Sequence, residues 1–159
     1  MKKFLILLAL LFGVATQSWA ISIPGAENPA EGPAVWLIPV YNSEASTTLD
    51  VGDVACWDLD SSTGDNHNYV NLCTAADTGI VAGVVYGADI TAGAYGNLAV
   101  HGVVQVDTAT SALGTVGGLA CSSSSGGTAR SCTTENGSFG IVTTANTANS
   151  ANVFLFGLQ

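Results

Sequence analysis

The sequence predicts an all-β protein: a single compact β-barrel or β-sandwich of about eight or nine short strands. Short Val- and Ile-rich runs alternate with Gly, Asn, Ser and Asp, the pattern of short strands separated by turns. After the first 20 residues no long amphipathic helical pattern occurs. With 48% hydrophobic residues, the composition is not that of a disordered chain. The predicted organisation is a signal peptide (1–20), an extended N-terminal arm (21–33) and one all-β domain (34–159).

The stretch Gly79–Asp107 is the predicted centre of the domain. It holds two apolar runs, Ile80–Tyr86 and Leu98–Val106, joined by the Gly/Ala-rich connector Gly87–Gly96. The second run alternates apolar positions with mixed ones, which is the period of a strand with one face in a core. We expect the two runs to pair as the central strands.

Further strands are expected on both sides of this pair, at 34–41, 53–59, 69–73, 138–143 and 152–158. Pro39 lacks an amide donor, so the run 34–41 is expected to be an edge strand or the first strand. The stretch Cys121–Cys132 is rich in Ser and Gly and is expected to be a loop. A short echo links residues 79–93 with 138–152, but by itself it does not define a repeat.

The first 20 residues have the pattern of a secretory signal peptide. Lys2 and Lys3 precede the apolar run Phe4–Val14, and Ser18-Trp19-Ala20 supplies a cleavage site after Ala20. We expect a secreted, extracellular or cell-surface protein with no membrane span after cleavage.

Charge excludes some classes of partner. The formal net charge is −9, and cleavage of the signal peptide would leave Arg130 as the sole basic residue among Lys and Arg against twelve Asp and Glu. Phosphate backbones are bound by clustered Lys and Arg, so nucleic-acid binding is not expected. Binding to anionic lipid is disfavoured for the same reason.

Four cysteines after an export signal indicate structural disulfides. Three pairings are possible. Cys56–Cys73 with Cys121–Cys132 is favoured, because each pair then brackets one polar loop between two strands. The spacing contains no C-x₂-C pair for zinc.

The sequence offers little chemistry for catalysis, and no enzyme is expected. His101 lies in an apolar strand, and the acids are scattered over turns. The loop with Asp58, Asp60 and Asp65 places oxygens on alternate residues, so a generic Ca²⁺ site is one interpretation and a solvated hairpin loop is the other. No other cofactor is expected.

Two alternatives concern binding. Pro24, Pro29 and Pro33 make the segment 21–33 either a mobile terminus or an arm that packs on a neighbouring subunit. Separately, Trp57 and Tyr69 beside the acidic loop could form a Ca²⁺-assisted platform for a glycan. That would make the protein a carbohydrate-binding or adhesin module rather than a structural subunit.

Four segments carry a resemblance to a known family. They are LDVGDV (49–54), AGVV (82–85) with GAYG (93–96) through GVV (102–104), FGIV (139–142) and VFL (153–155). In this order they are similar to small β-rich head-decoration or capsid-fibre proteins of tailed phages. The match spans nearly all of the chain after residue 33.

The resemblance implies a non-enzymatic protein that packs on copies of itself or on a repetitive protein surface. Candidates are a decoration-like shell, an extracellular filament or a surface layer. Together with the arm prolines, Gly93, Tyr95 and Gly96 of the connector are the expected assembly residues.

Overall fold

The computed structural model describes residues 34–59, 68–74, 80–108, 113, 115–133, 137–144 and 149–157. The signal peptide and the arm lie outside these ranges, so both stay predictions. Within them the chain forms nine strands: β1 (Trp36–Asn42), β2 (Val54–Trp57), β3 (Tyr69–Leu72), β4 (Val81–Val85), β5 (Tyr95–Asp107), β6 (Leu119–Ser122), β7 (Ala129–Cys132), β8 (Ser138–Thr144) and β9 (Ser150–Phe156). The all-β prediction is confirmed. No helix in these ranges is long and apolar enough to cross a membrane.

One continuous sheet runs in the order β1-β3-β2-β4-β5-β9-β8-β6-β7, and β1 also pairs with β5. That additional pairing closes β1, β3, β2, β4 and β5 into a five-stranded barrel. Strand β5 is 13 residues long and pairs antiparallel with β1, β4 and β9. The predicted central pair is therefore present as β4 and β5, and β5 is the strand that joins the barrel to the rest of the sheet.

The alternation in β5 divides its side chains between two faces. Leu98, Val100, Val104 and Val106 are all buried, while Gln105 on the opposite face is exposed. Leu98 belongs to a hydrophobic cluster of the closed barrel, whereas Val104 and Val106 belong to a larger cluster that combines residues from both halves of the chain. Burial of Val and Leu side chains at this extent stabilises the fold by about 1.5–3 kcal/mol each.

Of the two expectations for the run 34–41, the first strand is confirmed as β1 and the edge strand is wrong. Strand β1 pairs antiparallel with β5 and parallel with β3. Pro39 is tolerated because the pairing with β3 begins only at Tyr41, so at Pro39 the ladder partner is Asn97 of β5 alone. At Pro39, β3 is therefore not paired with β1, and no carbonyl of β3 has to go without the amide donor that proline lacks.

The expectation of a loop over 121–132 is also wrong. Both cysteines lie on strands, and β6 and β7 form a hairpin in which Leu119 pairs with Cys132 and Ser122 with Ala129. The Ser- and Gly-rich residues occupy only the turn between them, where Ser123 N donates to Thr128 O at 2.8 Å. The low-complexity composition of this stretch did not indicate its two four-residue strands, β6 and β7.

The strands repeat their pairing pattern along the chain. In the first repeat β2 pairs with both β3 and β4, and β4 pairs with β5; in the second repeat β6 pairs with β7 and β8, and β8 pairs with β9. β1 lies antiparallel to β5 as β5 lies antiparallel to β9. Strand β5 thus serves as the last strand of the first repeat and the first strand of the second.

The repeat holds residue by residue. Ala55 faces Gly83 as Ala120 faces Gly140, and each pairing is followed by an irregularity before the cysteine. Asn42 pairs parallel with Val70 as Thr108 bridges Ala129. The disulfides correspond too, because Cys56–Cys73 and Cys121–Cys132 join equivalent strands. The echo between residues 79–93 and 138–152 aligns β4 with β8, which are equivalent strands of the two repeats.

Candidate assembly surface

Tyrosines from three strands of the barrel lie together on its outer surface. Tyr41 of β1 contacts Tyr69 of β3 edge-on, with ring centroids 4.8 Å apart, and Tyr95 of β5 with centroids 5.1 Å apart. The register explains the grouping, because Tyr41 is the partner of both Tyr69 and Tyr95. Tyr95 is 76% exposed. We call Tyr41, Tyr69 and Tyr95 the tyrosine cluster.

The predicted assembly residues of the connector lie beside this cluster. Gly93 forms a turn with a positive φ of 72°, and its amide donates to Asn42 O at 3.0 Å. Gly96 is packed against Ile90, and a Cβ at Gly96 would collide with that side chain. Tyr95 and Gly93 are exposed, whereas Gly96 serves the packing of the barrel. A role of these residues in assembly stays a prediction. Pro24, Pro29 and Pro33 lie outside the described residues.

Asn42 organises the polar interior under the connector, and sequence reasoning had missed it. Its side chain is fully buried and donates to Ile90 O at 2.8 Å and Thr47 O at 2.9 Å, while its Oδ1 accepts from Glu44 N at 3.0 Å. These bonds satisfy backbone groups that would otherwise be buried without partners. Asn42 follows an apolar alternating run at an inward position, which is the signal that could have identified it.

A second aromatic group crosses β1, β5 and β9. His101 lies between Trp36 and Phe154, with ring centroids 4.9 Å and 5.1 Å away. Trp36 is 62% exposed. His101 is a half-buried strand residue in contact with aromatic rings, as expected from its position in the sequence.

Four carboxylates gather around the turn that precedes β2. Asp53 Oδ2 accepts from Asp50 N at 2.8 Å, and Asp89 Oδ1 accepts from Val51 N at 2.8 Å. Burial, with repulsion from Asp50, Asp107 and Asp89, raises the pKa of Asp53 to about 6, although the hydrogen bond from Asp50 N acts in the opposite direction. Burial also raises the pKa of Asp107. Sequence reasoning had treated these acids as scattered, because Asp89 and Asp107 are distant in the chain.

The predicted calcium ligands are only partly described. Asp58 follows β2, and its amide donates to Tyr69 O at 2.9 Å; Asp60 and Asp65 lie outside the described residues. Among the residues with described positions, no group of three His, Cys, Asp or Glu could hold a metal ion. The calcium site therefore stays a prediction.

The predicted sugar platform stays a prediction, because most of the acidic loop beside it, with Asp60 and Asp65, lies outside the described residues. Trp57 is half-buried against the core of the barrel, and Tyr69 packs edge-on to Tyr41.

A small apolar cavity lies between β4, β5, β8 and β9, lined by Val81, Ala82, Gly83, Val100, Phe139, Leu155 and Gly157. Its lining carries no titratable side chain, so it offers no acid, base or nucleophile.

No family model matches the sequence, and no curated protein matches it. Among solved structures, the chain is similar to the N base of the head fibre gp8.5 of bacteriophage phi29, with a TM-score of 0.54 and 15% sequence identity. The alignment covers 79% of this chain and 98% of the phage chain. The resemblance to head-fibre and decoration proteins of phages, inferred above from four short motifs, is thus present in the fold.

Proposed function

We propose that the protein is a secreted, non-enzymatic structural subunit that assembles with copies of itself or on a repetitive protein surface. The observation that carries the proposal is the exposed apolar surface of a fold shared with a phage head-fibre base. Large apolar side chains are exposed at nine described positions: Trp36, Leu37, Val51, Leu59, Ile80, Tyr86, Tyr95, Val116 and Phe156.

Several properties support this role. Exposed aromatic groups are enriched in the contacts between protein subunits. The scarcity of charge, 9% of residues, lowers the desolvation cost of bringing such surfaces together. Two disulfides and no free cysteine among the described residues suit an oxidising exterior.

Static light scattering over a concentration series tests the proposal. The protein is purified with its disulfides intact. Its apparent mass is expected to rise above that of the monomer, which is 16.0 kDa for the full chain and lower without the signal peptide, as the concentration increases. Electron microscopy of the same samples is expected to show regular assemblies. A monomer at every concentration, with and without calcium, would contradict self-assembly.

A further inference from the structure

The two repeats meet at a junction within the chain. The surface that the first repeat contributes to this junction has an equivalent in the second repeat. In the first repeat, the second repeat covers Gly52 of the turn Asp50–Asp53, the start of β2 and the end of β3, while Asp50 and Val51 stay exposed. Asp107 N donates to Gly52 O at 2.8 Å, Val54 N donates to Gly127 O at 2.6 Å, and Gly127 N donates to Cys73 O at 3.2 Å. As a result Val54 is 0% exposed and Cys73 is 1% exposed.

The equivalent surface of the second repeat is uncovered. The turn Thr115–Gly118 corresponds to Asp50–Asp53: Gly118 N donates to Thr115 O at 2.9 Å as Asp53 N donates to Asp50 O at 3.0 Å. Gly117 and Gly52 share a positive φ, 84° and 100°. A Cβ on Gly52 would lie 3.0 Å from the Asp107 carboxylate, whereas one on Gly117 would meet nothing within 4 Å.

The described residues that form this surface carry no charged side chain. Val116 is 60% exposed, and Leu119 and Cys132 are half-exposed where Val54 and Cys73 are buried. Thr115 and Gly118 stand where the first repeat has Asp50 and Asp53. We call Val116–Leu119 with Cys132 the open face. In a chain of net charge −9, a patch without acids is where two copies repel each other least.

The surface that the second repeat contributes to the junction also has an equivalent, in the first repeat. In the second repeat it is formed around Asp107 and Gly127, whose equivalents in the first repeat are Tyr41 and Asn68. The tyrosine cluster of the first repeat therefore lies at the position equivalent to the surface by which the second repeat contacts the first. Tyr41 N already donates to Asn68 O at 2.9 Å, so a contact here is made by tyrosine rings rather than by free amides.

We propose that the open face of one copy binds the tyrosine cluster of a second copy, so that subunits join head to tail. This inference rests on the proposed self-assembly and names its contact. The two halves of the contact are different surfaces, so the interface is heterologous and either closes into a ring or continues as a filament.

Light scattering of two charge variants tests the contact. Val116→Asp places a carboxylate on the open face, and Tyr95→Asp places one in the tyrosine cluster; both positions are exposed, and thermal unfolding checks that each variant folds. Each variant alone is expected to be monomeric. An equimolar mixture is expected to form heterodimers of twice the monomer mass and nothing larger, because each variant keeps the surface that the other lacks.

Val51→Asp is the matched control, since Val51 holds the position equivalent to Val116 and is itself exposed, but lies outside both surfaces of the proposed contact. It is expected to associate like the wild type. If the wild type associates and the two variants do so equally, or if their mixture stays monomeric, the proposed contact is wrong while self-assembly stands. A wild type that stays monomeric contradicts self-assembly itself, and the contact with it.

Discussion

Asp53 is the residue whose charge most directly opposes the fold. Its pKa is raised from 3.8 to about 6 by burial and by the neighbouring acids. The folded state therefore binds this proton more tightly than the unfolded state. The contribution of Asp53 to stability is therefore highest below about pH 4, decreases as the pH rises to about 6, and stays lower above that.

We accordingly expect Asp53→Asn to raise the melting temperature at pH 7 and to leave it unchanged at pH 3.5. The amide oxygen can still accept from Asp50 N, so the turn is kept. Part of the pH dependence is expected to remain, because the pKa of Asp107 is raised as well. Calorimetry from pH 3.5 to 7.5 measures this. Asp89→Asn, on an exposed side chain of the β4–β5 connection that accepts from Val51 N of the same turn, is the control, and an equal gain there would show that Asp53 is not special.

Gly83 and Gly140 show why the repeated strands need glycine at one position. A Cβ on Gly83 would lie 2.5 Å from Ala99 O, and a Cβ on Gly140 would lie 2.6 Å from Phe154 O, the equivalent atom of the second repeat. Carbonyl groups of a paired strand cannot move aside as a flexible side chain can. The glycines therefore permit β4 and β8 to approach their neighbouring strands.

Gly140→Ala and Gly83→Ala are each expected to destabilise the protein by about 1–3 kcal/mol, the usual cost of overpacking. Urea unfolding measures the difference. Gly87→Ala is unsuitable as a control because Gly87 has a positive φ of 86°, whereas Gly126→Ala meets only Leu72 at 3.8 Å and is expected to change little. A loss of stability at Gly126 equal to that at Gly140 would contradict this account.

At the level of the elements, the two disulfides hold equivalent hairpins. Cys56–Cys73 spans 17 residues and Cys121–Cys132 spans 11. In the chain-entropy model, closing loops of this length stabilises a protein by about 3 kcal/mol each, slightly more for the longer loop. Equivalent positions and similar loop lengths predict similar contributions.

Replacing either pair by alanines is thus expected to lower the melting temperature by a similar amount, with a somewhat larger effect for Cys56 and Cys73. Differential scanning calorimetry measures it, and peptide mapping confirms that the remaining disulfide is formed. If only one of the two pairs mattered, the hairpins would not be energetically equivalent.

The elements also show what sequence patterns can and cannot predict. Strand β5 was predictable because it alternates over its buried length, and β4 because it is a continuous apolar run next to Gly-rich turns. Strands β6 and β7 are four residues each, too short for a period to be read. The closure of β1 onto β5, the tyrosine cluster and the open face depend on pairing between distant segments, which no local pattern contains.

At the level of the whole molecule, the shared strand makes two repeats into one folding unit. The N-terminal part of β5 completes the closed barrel with β1 and β4, and residues 101–107 pair with β9. The larger hydrophobic cluster also combines residues from both repeats, such as Val54 and Val84 with Val142 and Val153. Neither repeat can lose its structure without removing a strand and part of a core from the other.

The protein is therefore expected to unfold in a single transition, even when only one repeat is weakened. Leu98 in the first repeat and Val153 in the second are equivalent and fully buried. Leu98→Ala is expected to cost about 2–5 kcal/mol, and Val153→Ala less, because fewer methyl groups are removed. Each variant is expected to shift the whole transition, seen equally by far-UV circular dichroism and by aromatic fluorescence. Two separate transitions in either variant would mean that the repeats fold independently and that β5 does not couple them.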